Sequence, residues 1–176
     1  MMDLQLIFVV ETDSKSKSDW IYIKDTIDYF YNYDQSHVKF STVYMAGKGN
    51  YKKVETKITK LISEYASVNK QRQSRGIYCF DCDDFDTNRV DIDFLEKAKE
   101  YCDEKQYEFV WFCKDIERVY IGKKVPEKEK TKEAAKFKSG KLIRNVNKTT
   151  LEIHRYAANT SNILRIIDKY LKCKIL

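Results

Sequence analysis

Ile77-Tyr78-Cys79-Phe80-Asp81-Cys82-Asp83-Asp84-Phe85-Asp86 is an apolar run that ends abruptly in four aspartates within six residues. Preceded by Gly76 and rich in β-branched and aromatic residues, its first half predicts a strand over Ile77–Phe80 that is buried on both faces. Working outward, three more runs have the same character. Leu4–Val10 runs into Glu11, Val38–Met45 runs into a glycine-containing turn, and Glu108–Cys113 precedes another acid, Asp115. Between them lie amphipathic stretches of helical period. One runs from a cap at Ser18 or Asp19 to about Tyr33, a second covers Lys53–Asn69 and a third Asp91–Lys105. Strand and helix in strict alternation predict right-handed crossovers and a largely parallel four-stranded sheet flanked by helices. After Cys113 the pattern turns mainly helical, over Asp115–Ile121, Glu129–Lys138 and Thr160–Lys172. The expected organisation is a core of residues 1–122 with a basic segment and final helix, residues 123–176, packed on it as one domain.

Composition agrees with a folded α/β chain. Apolar residues make up 43% and aromatics 14% of 176, so a core can form although 34% are charged. Five glycines and one proline leave little room for long irregular segments. No apolar run approaches the ~20 residues of a membrane helix. Leu4–Val10 is too short, and lacks a basic flank, to read as a signal peptide. Five cysteines, an odd number, predict free thiols and a cytoplasmic setting. The Cys79–Cys82 spacing falls in a strand, where it would point the two thiols to opposite faces and supply no zinc site.

In parallel sheets, functional groups collect at the carboxyl ends of the strands. Glu11 and Asp81 both hold that position. Carboxylates as close as Asp81, Asp83, Asp84 and Asp86 repel one another unless a cation compensates. Asp81 and Asp83 alternate, so an extended chain would project both to one side. An all-oxygen ligand set suits Mg²⁺ or Mn²⁺. The expected metal ligands are Asp81, Asp83, Glu11 and Asp84, with Glu11, Asp81 and Asp83 as the catalytic acids. Asp84 and Asp86 could equally cap a turn. An EF-hand fits poorly, because the glycine and terminal glutamate of that loop are missing.

The pairing of Ile7-Phe8-Val9-Val10-Glu11 with Phe80-Asp81-Cys82-Asp83 resembles the Toprim fold, shared by topoisomerases, primases and OLD-family nucleases. Within that group the chain is most similar to the small RloB-like and AbiL-type proteins of phage defence. The similarity extends to the turn Ser16–Tyr22 and to the aromatic strand that leads to Glu117. It departs from the pattern at Glu11-Thr12, where the family has Glu-Gly. The resemblance implies a Toprim-like, Rossmann-like core and a Mg²⁺-dependent phosphodiester hydrolase in phage defence (abortive infection). It also implies metal binding by Asp81 and Asp83 and acid/base work by Glu11. Glu117 and Asp19 become secondary candidates, Asp19 also as a helix cap.

Net charge is +6, and ten Lys/Arg against three Glu between Lys123 and Lys148 account for it. That excess suits a polyanion, so Lys123, Lys124, Lys136, Lys138, Lys141 and Arg144 are the expected nucleic-acid contacts. Lys48, in the turn after the second strand, could join them at the strand-end crevice. His37 and His154 have no acidic or cysteine neighbour in sequence and predict no triad. Two rival readings stand beside the nuclease. One is a non-catalytic module that binds nucleic acid or a partner protein; the other is a phosphotransfer domain with Asp81 as nucleophile.

Overall fold

The structure is a computed structural model, and it describes residues 3–175. The fold is α/β with a mostly parallel sheet. β1 (Leu4–Val10) lies between β3 (Val38–Tyr44) and β4 (Gln73–Asp81), and β5 (Glu108–Cys113) continues beyond β4, all parallel. A fifth strand, β6 (Thr160–Ser161), pairs antiparallel with Phe112 and Cys113. The order is thus β3-β1-β4-β5-β6, one strand more than the sequence predicts.

β1 is central because both of its faces are apolar. Leu6, Phe8 and Val10 point into one core with Ile23, Ile27 and Phe112, while Ile7 and Val9 point into another with Ile58, Phe80 and Leu95. All five are fully buried. Gln5 is the polar exception, and it is satisfied: its amide donates to Ser41 Oγ and accepts from Ser74 Oγ, each at 2.9 Å. At Gly76 a side chain would not fit, since a Cβ would lie 2.6 Å from the Tyr107 ring. Cys79 and Cys82 do face opposite cores, and all five cysteines are free.

The helices cover both faces. α1 (Ser18–Phe30) lies on the first, and α2 (Glu55–Val68) and α3 (Arg89–Lys105) bury Ile58, Leu95 and Ala98 in the second. Neither Ser18 nor Asp19 caps α1. Its N-cap is Lys17, in the left-handed region (φ +53°), and its first turn has no side-chain cap. α1 also stops three residues before the expected Tyr33. Tyr31–Asn32 forms β2 and pairs antiparallel with β7 (Lys172–Cys173).

The C-terminal third departs most from expectation. α4 (Ile116–Ile121) and α5 (Lys130–Ser139) are helical as predicted. α5 is held on α1 through Ala134 and Phe137; the Phe137 ring meets Tyr22 edge-on at 5.0 Å. Truncating such a buried aromatic costs about 3–5 kcal/mol. The helix expected over Thr160–Lys172 shrinks to α6 (Ile163–Ile167). Its first residues are taken by the sheet edge. Beyond β6, Asn162 accepts from the Trp111 amide (3.0 Å) and donates to the Phe109 carbonyl (2.9 Å), standing in for a strand. No described helix is long and apolar enough to cross a membrane.

Candidate functional site

Four carboxylates converge beyond the carboxyl ends of β1 and β4. Glu11, the first residue after β1, accepts the Asp81 amide at 2.8 Å through Oε1. This bond ties the two strand ends together past the last paired residues, Val9 and Tyr78. Asp81 accepts the Ile116 amide at 3.0 Å, which fixes the start of α4 against it. Asp19, in the first turn of α1, accepts the Thr12 amide at 3.2 Å and so orders the loop after Glu11. The fourth is Glu117, in the first turn of α4. It is fully buried, and neither of its oxygens has a hydrogen-bond partner. Lys130, the first residue of α5, reaches in from outside, 3.6 Å from Glu117 and 3.4 Å from Glu127. Glu11, Asp19, Asp81, Gly47 and Lys130 line a cleft of about 310 Å³.

Burial dominates the electrostatics. Loss of hydration pushes Glu11 up to about 8. The charges of Asp19 and Asp83 add to this, and the bond from the Asp81 amide works against it. Burial likewise raises Asp81 well above the carboxylate range, with Glu11, Asp19 and Glu117 adding to the push. Asp19 is raised by burial, partly offset by the Thr12 bond. Glu117 is pushed up by burial to about 7 although Lys130 pulls it down. For Lys130 the balance reverses: burial lowers it, but the surrounding carboxylates outweigh that and hold it firmly protonated. Glu11 therefore retains a proton near neutrality, and burial pushes Asp19, Asp81 and Glu117 in the same direction.

The other expected residues lie around this cleft rather than in it. Asp83 is in the left-handed region (φ +47°), so the chain is no longer extended there and the alternation that would align it with Asp81 is lost. Its amide donates to the Lys114 carbonyl at 2.7 Å, and its carboxylate pairs with Lys48. Lys48 also binds Asp91 at 3.0 Å and lies 5.0 Å from the Phe94 ring centre. Asp84 and Asp86 are exposed, 3.5 and 3.3 Å from Lys114. The Asp84 carbonyl accepts the Thr87 and Asn88 amides, a turn that leads into α3. Lys123, Lys124, Lys136, Lys138, Lys141 and Arg144 are all exposed on α5 and its flanks. Lys136 and Lys123 share Glu133, at 2.7 and 4.0 Å. His37 pairs with Asp3 and His154 lies 2.7 Å from Arg165, neither of them in the cleft.

Sequence reasoning misses Lys130. In the chain it is one of ten cations in a charge run, and only the packing of α5 on α1 singles it out. Among the described residues, no group of three or more His, Cys, Asp or Glu side chains could hold a metal ion as it stands. Comparison with protein-family models, with curated proteins and with solved structures returns no match.

Proposed function

We propose that the protein is a Mg²⁺- or Mn²⁺-dependent phosphodiester hydrolase acting on nucleic acid, with the cleft lined by Glu11, Asp19 and Asp81 as its active site. The observation that carries this reading is that Glu11, Asp19 and Asp81 line one cleft at the carboxyl ends of β1 and β4, with Glu117 buried nearby against Lys130. Buried carboxylates are costly unless they are protonated or meet a cation, and among the described residues only Glu117 of the four has a lysine within 4 Å. Three further carboxyl groups share its surroundings, and an all-oxygen donor set suits a hard divalent ion. Phage defence, the setting that the Toprim and RloB-like resemblance implies, belongs to the same proposal.

Glu11, Asp19 and Asp81, which line the cleft, would hold the ion, with Glu117 buried behind them. When bound, it would polarise a phosphate and lower the pKa of water. The rest falls to the chain's own side chains. Glu11, raised to about 8 by burial in the metal-free protein, would give up its proton when the ion binds or, if it stays off the ion, serve as the general acid/base. Lys130 places a fixed positive charge at the cleft wall, where a substrate phosphate would lie. Lys48 adds a second cation on the Asp83 side. The exposed cations on and around α5 would track the nucleic-acid backbone.

The test incubates the protein with single- and double-stranded DNA and RNA in Mg²⁺ or Mn²⁺, beside Glu11→Gln and Asp81→Asn. Metal-dependent cleavage that both substitutions abolish supports the proposal. One observation favours a second reading, a non-catalytic nucleic-acid-binding module: Lys48 and Lys130 already neutralise Asp83 and Glu117 from within. Salt-sensitive binding with no cleavage, unaffected by either substitution, would establish that reading and refute the first.

A further inference from the structure

We infer that nucleic acid enters the cleft as a single strand, along the open edge of β3. This rests on the proposed function and names its substrate class.

The two edges of the sheet differ. The β5 edge is closed by β6 and by the Asn162 amide. Among the described residues, no strand pairs with the outer edge of β3 over its seven residues. Met45 donates to the Val10 carbonyl and His37 accepts the Leu4 amide, both at 2.8 Å. Odd-numbered residues therefore bond inward to β1, and the peptide groups of Phe40 and Thr42 turn outward.

Two clefts follow this edge, one beside each half of β3, and the second meets the acidic one. The first, about 640 Å³, runs past Val38–Phe40 and is walled by Trp20, Tyr33 and Tyr65. Its cations sit against those rings. Lys24 is 5.6 Å from the Tyr33 and Phe40 ring centres, Arg72 4.7 Å from Tyr65, and Lys39 5.6 Å from Tyr65. No carboxylate lines it, although Lys24 is paired with Asp28 at 2.6 Å and Arg72 with Asp3 at 3.0 Å. The second, about 520 Å³, runs past Thr42–Tyr44 beside Lys57 and Lys60. Its two acids are engaged: Asp13 accepts the Lys15 and Ser16 amides, and Glu64 lies 3.8 Å from Lys60. It meets the acidic cleft at Asp13 and Ala46, which line both.

The partly exposed rings of Trp20, Tyr33 and Phe40 beside these cations suit stacking by unpaired bases, which a duplex does not offer; Tyr65 is buried under Arg72 and Lys39. The path along β3 is on the order of 23 Å, enough for a run of several nucleotides. Lysines at a strand edge deter the addition of a further protein strand, so a polyanion is the better occupant. Lys39 and Lys57 have no ion-pair partner among the described residues.

The test uses the full chain carrying Trp111→Phe, which leaves Trp20 as the only tryptophan. The probes are 20-mers of oligo(dT) and oligo(U) and a 20-bp DNA duplex, in EDTA so that no cleavage intervenes. Both single strands should quench Trp20, and the duplex should not. Reversing Lys39, Lys57 and Lys60 to Glu should weaken single-strand binding about tenfold or more and flatten the slope of log K against log salt by about 2, at ~0.7 per lost phosphate contact. If Trp111→Phe does not fold, loss of the quench in Trp20→Phe serves instead. Binding seen by anisotropy with Trp20 unmoved, with the triple variant unaffected, or with equal quenching by duplex overturns the path and leaves the proposed function standing. If no nucleic acid is bound or, with Mg²⁺ or Mn²⁺, cleaved, both fall.

Discussion

Replacing Glu117 with Gln should make the metal-free protein more stable at pH 8 and leave it almost unchanged at pH 4.5. The side chain is fully buried, and its folded pKa is about 7 against an ordinary 4.5. Below 4.5 the carboxyl is protonated whether folded or not, so Glu and its amide isostere are equivalent. As the pH rises, the unfolded chain releases its proton first while the folded chain still holds one, and stability falls. Above 7 the penalty is complete. At ~1.4 kcal/mol per tenfold, it amounts to roughly 3 kcal/mol. The amide escapes this penalty. In a chain of this length, that is a rise in Tm of about 6–12 °C. Urea or thermal melts in EDTA at pH 4.5 and pH 8 read the difference directly. If Glu117→Gln instead loses stability at pH 8, the carboxylate is a stabilising partner of Lys130 and not a group strained by burial.

Other predictions concern the scaffold and the cleft. Asn162→Ala leaves the Trp111 amide and the Phe109 carbonyl unpaired at the β5 edge, and denaturant melts should show a loss of about 2–3 kcal/mol. Gly76→Ala drives a Cβ to within 2.6 Å of the Tyr107 ring, and overpacking of that kind should cost about 1–3 kcal/mol in the same assay. Lys130→Gln removes the positive charge at the cleft wall. It should reduce turnover on nucleic acid at least tenfold while binding to the exposed cations of α5 is retained, as seen by comparing cleavage rates with anisotropy.

Much of the architecture can be read from the chain because its signals are strong and local. Leu4–Val10 and Glu108–Cys113 are continuous apolar runs and form strands with those bounds. α2 and α3 follow their helical stripes to within two residues of the expected ends. The C-terminal segment misleads for a tertiary reason. Ile163, Leu164, Ile166 and Ile167 do form a helical stripe, but Asn162 is drawn to the edge of β5 and Lys172–Cys173 to β2, so the helix is cut at both ends. Glu11 and Asp81 are legible from their places at strand ends. Asp83 is not, because its left-handed backbone breaks the alternation that sequence reasoning assumes. Glu117 and Lys130 become conspicuous only when α4 and α5 are packed around them, since neither burial nor an unpaired oxygen can be read from residue type.

The central claim is that the carboxylate cleft binds a divalent cation, and isothermal titration of Mg²⁺ and Mn²⁺ into the metal-free protein at pH 7 tests it most directly. Binding should be saturable and accompanied by proton release, visible as a dependence of the heat on the buffer used, because Glu11 holds a proton at that pH. It should vanish in Glu11→Gln and Asp81→Asn and persist in Asp84→Asn. No saturable binding in the unsubstituted protein, or binding indifferent to Glu11 and Asp81, would contradict the account.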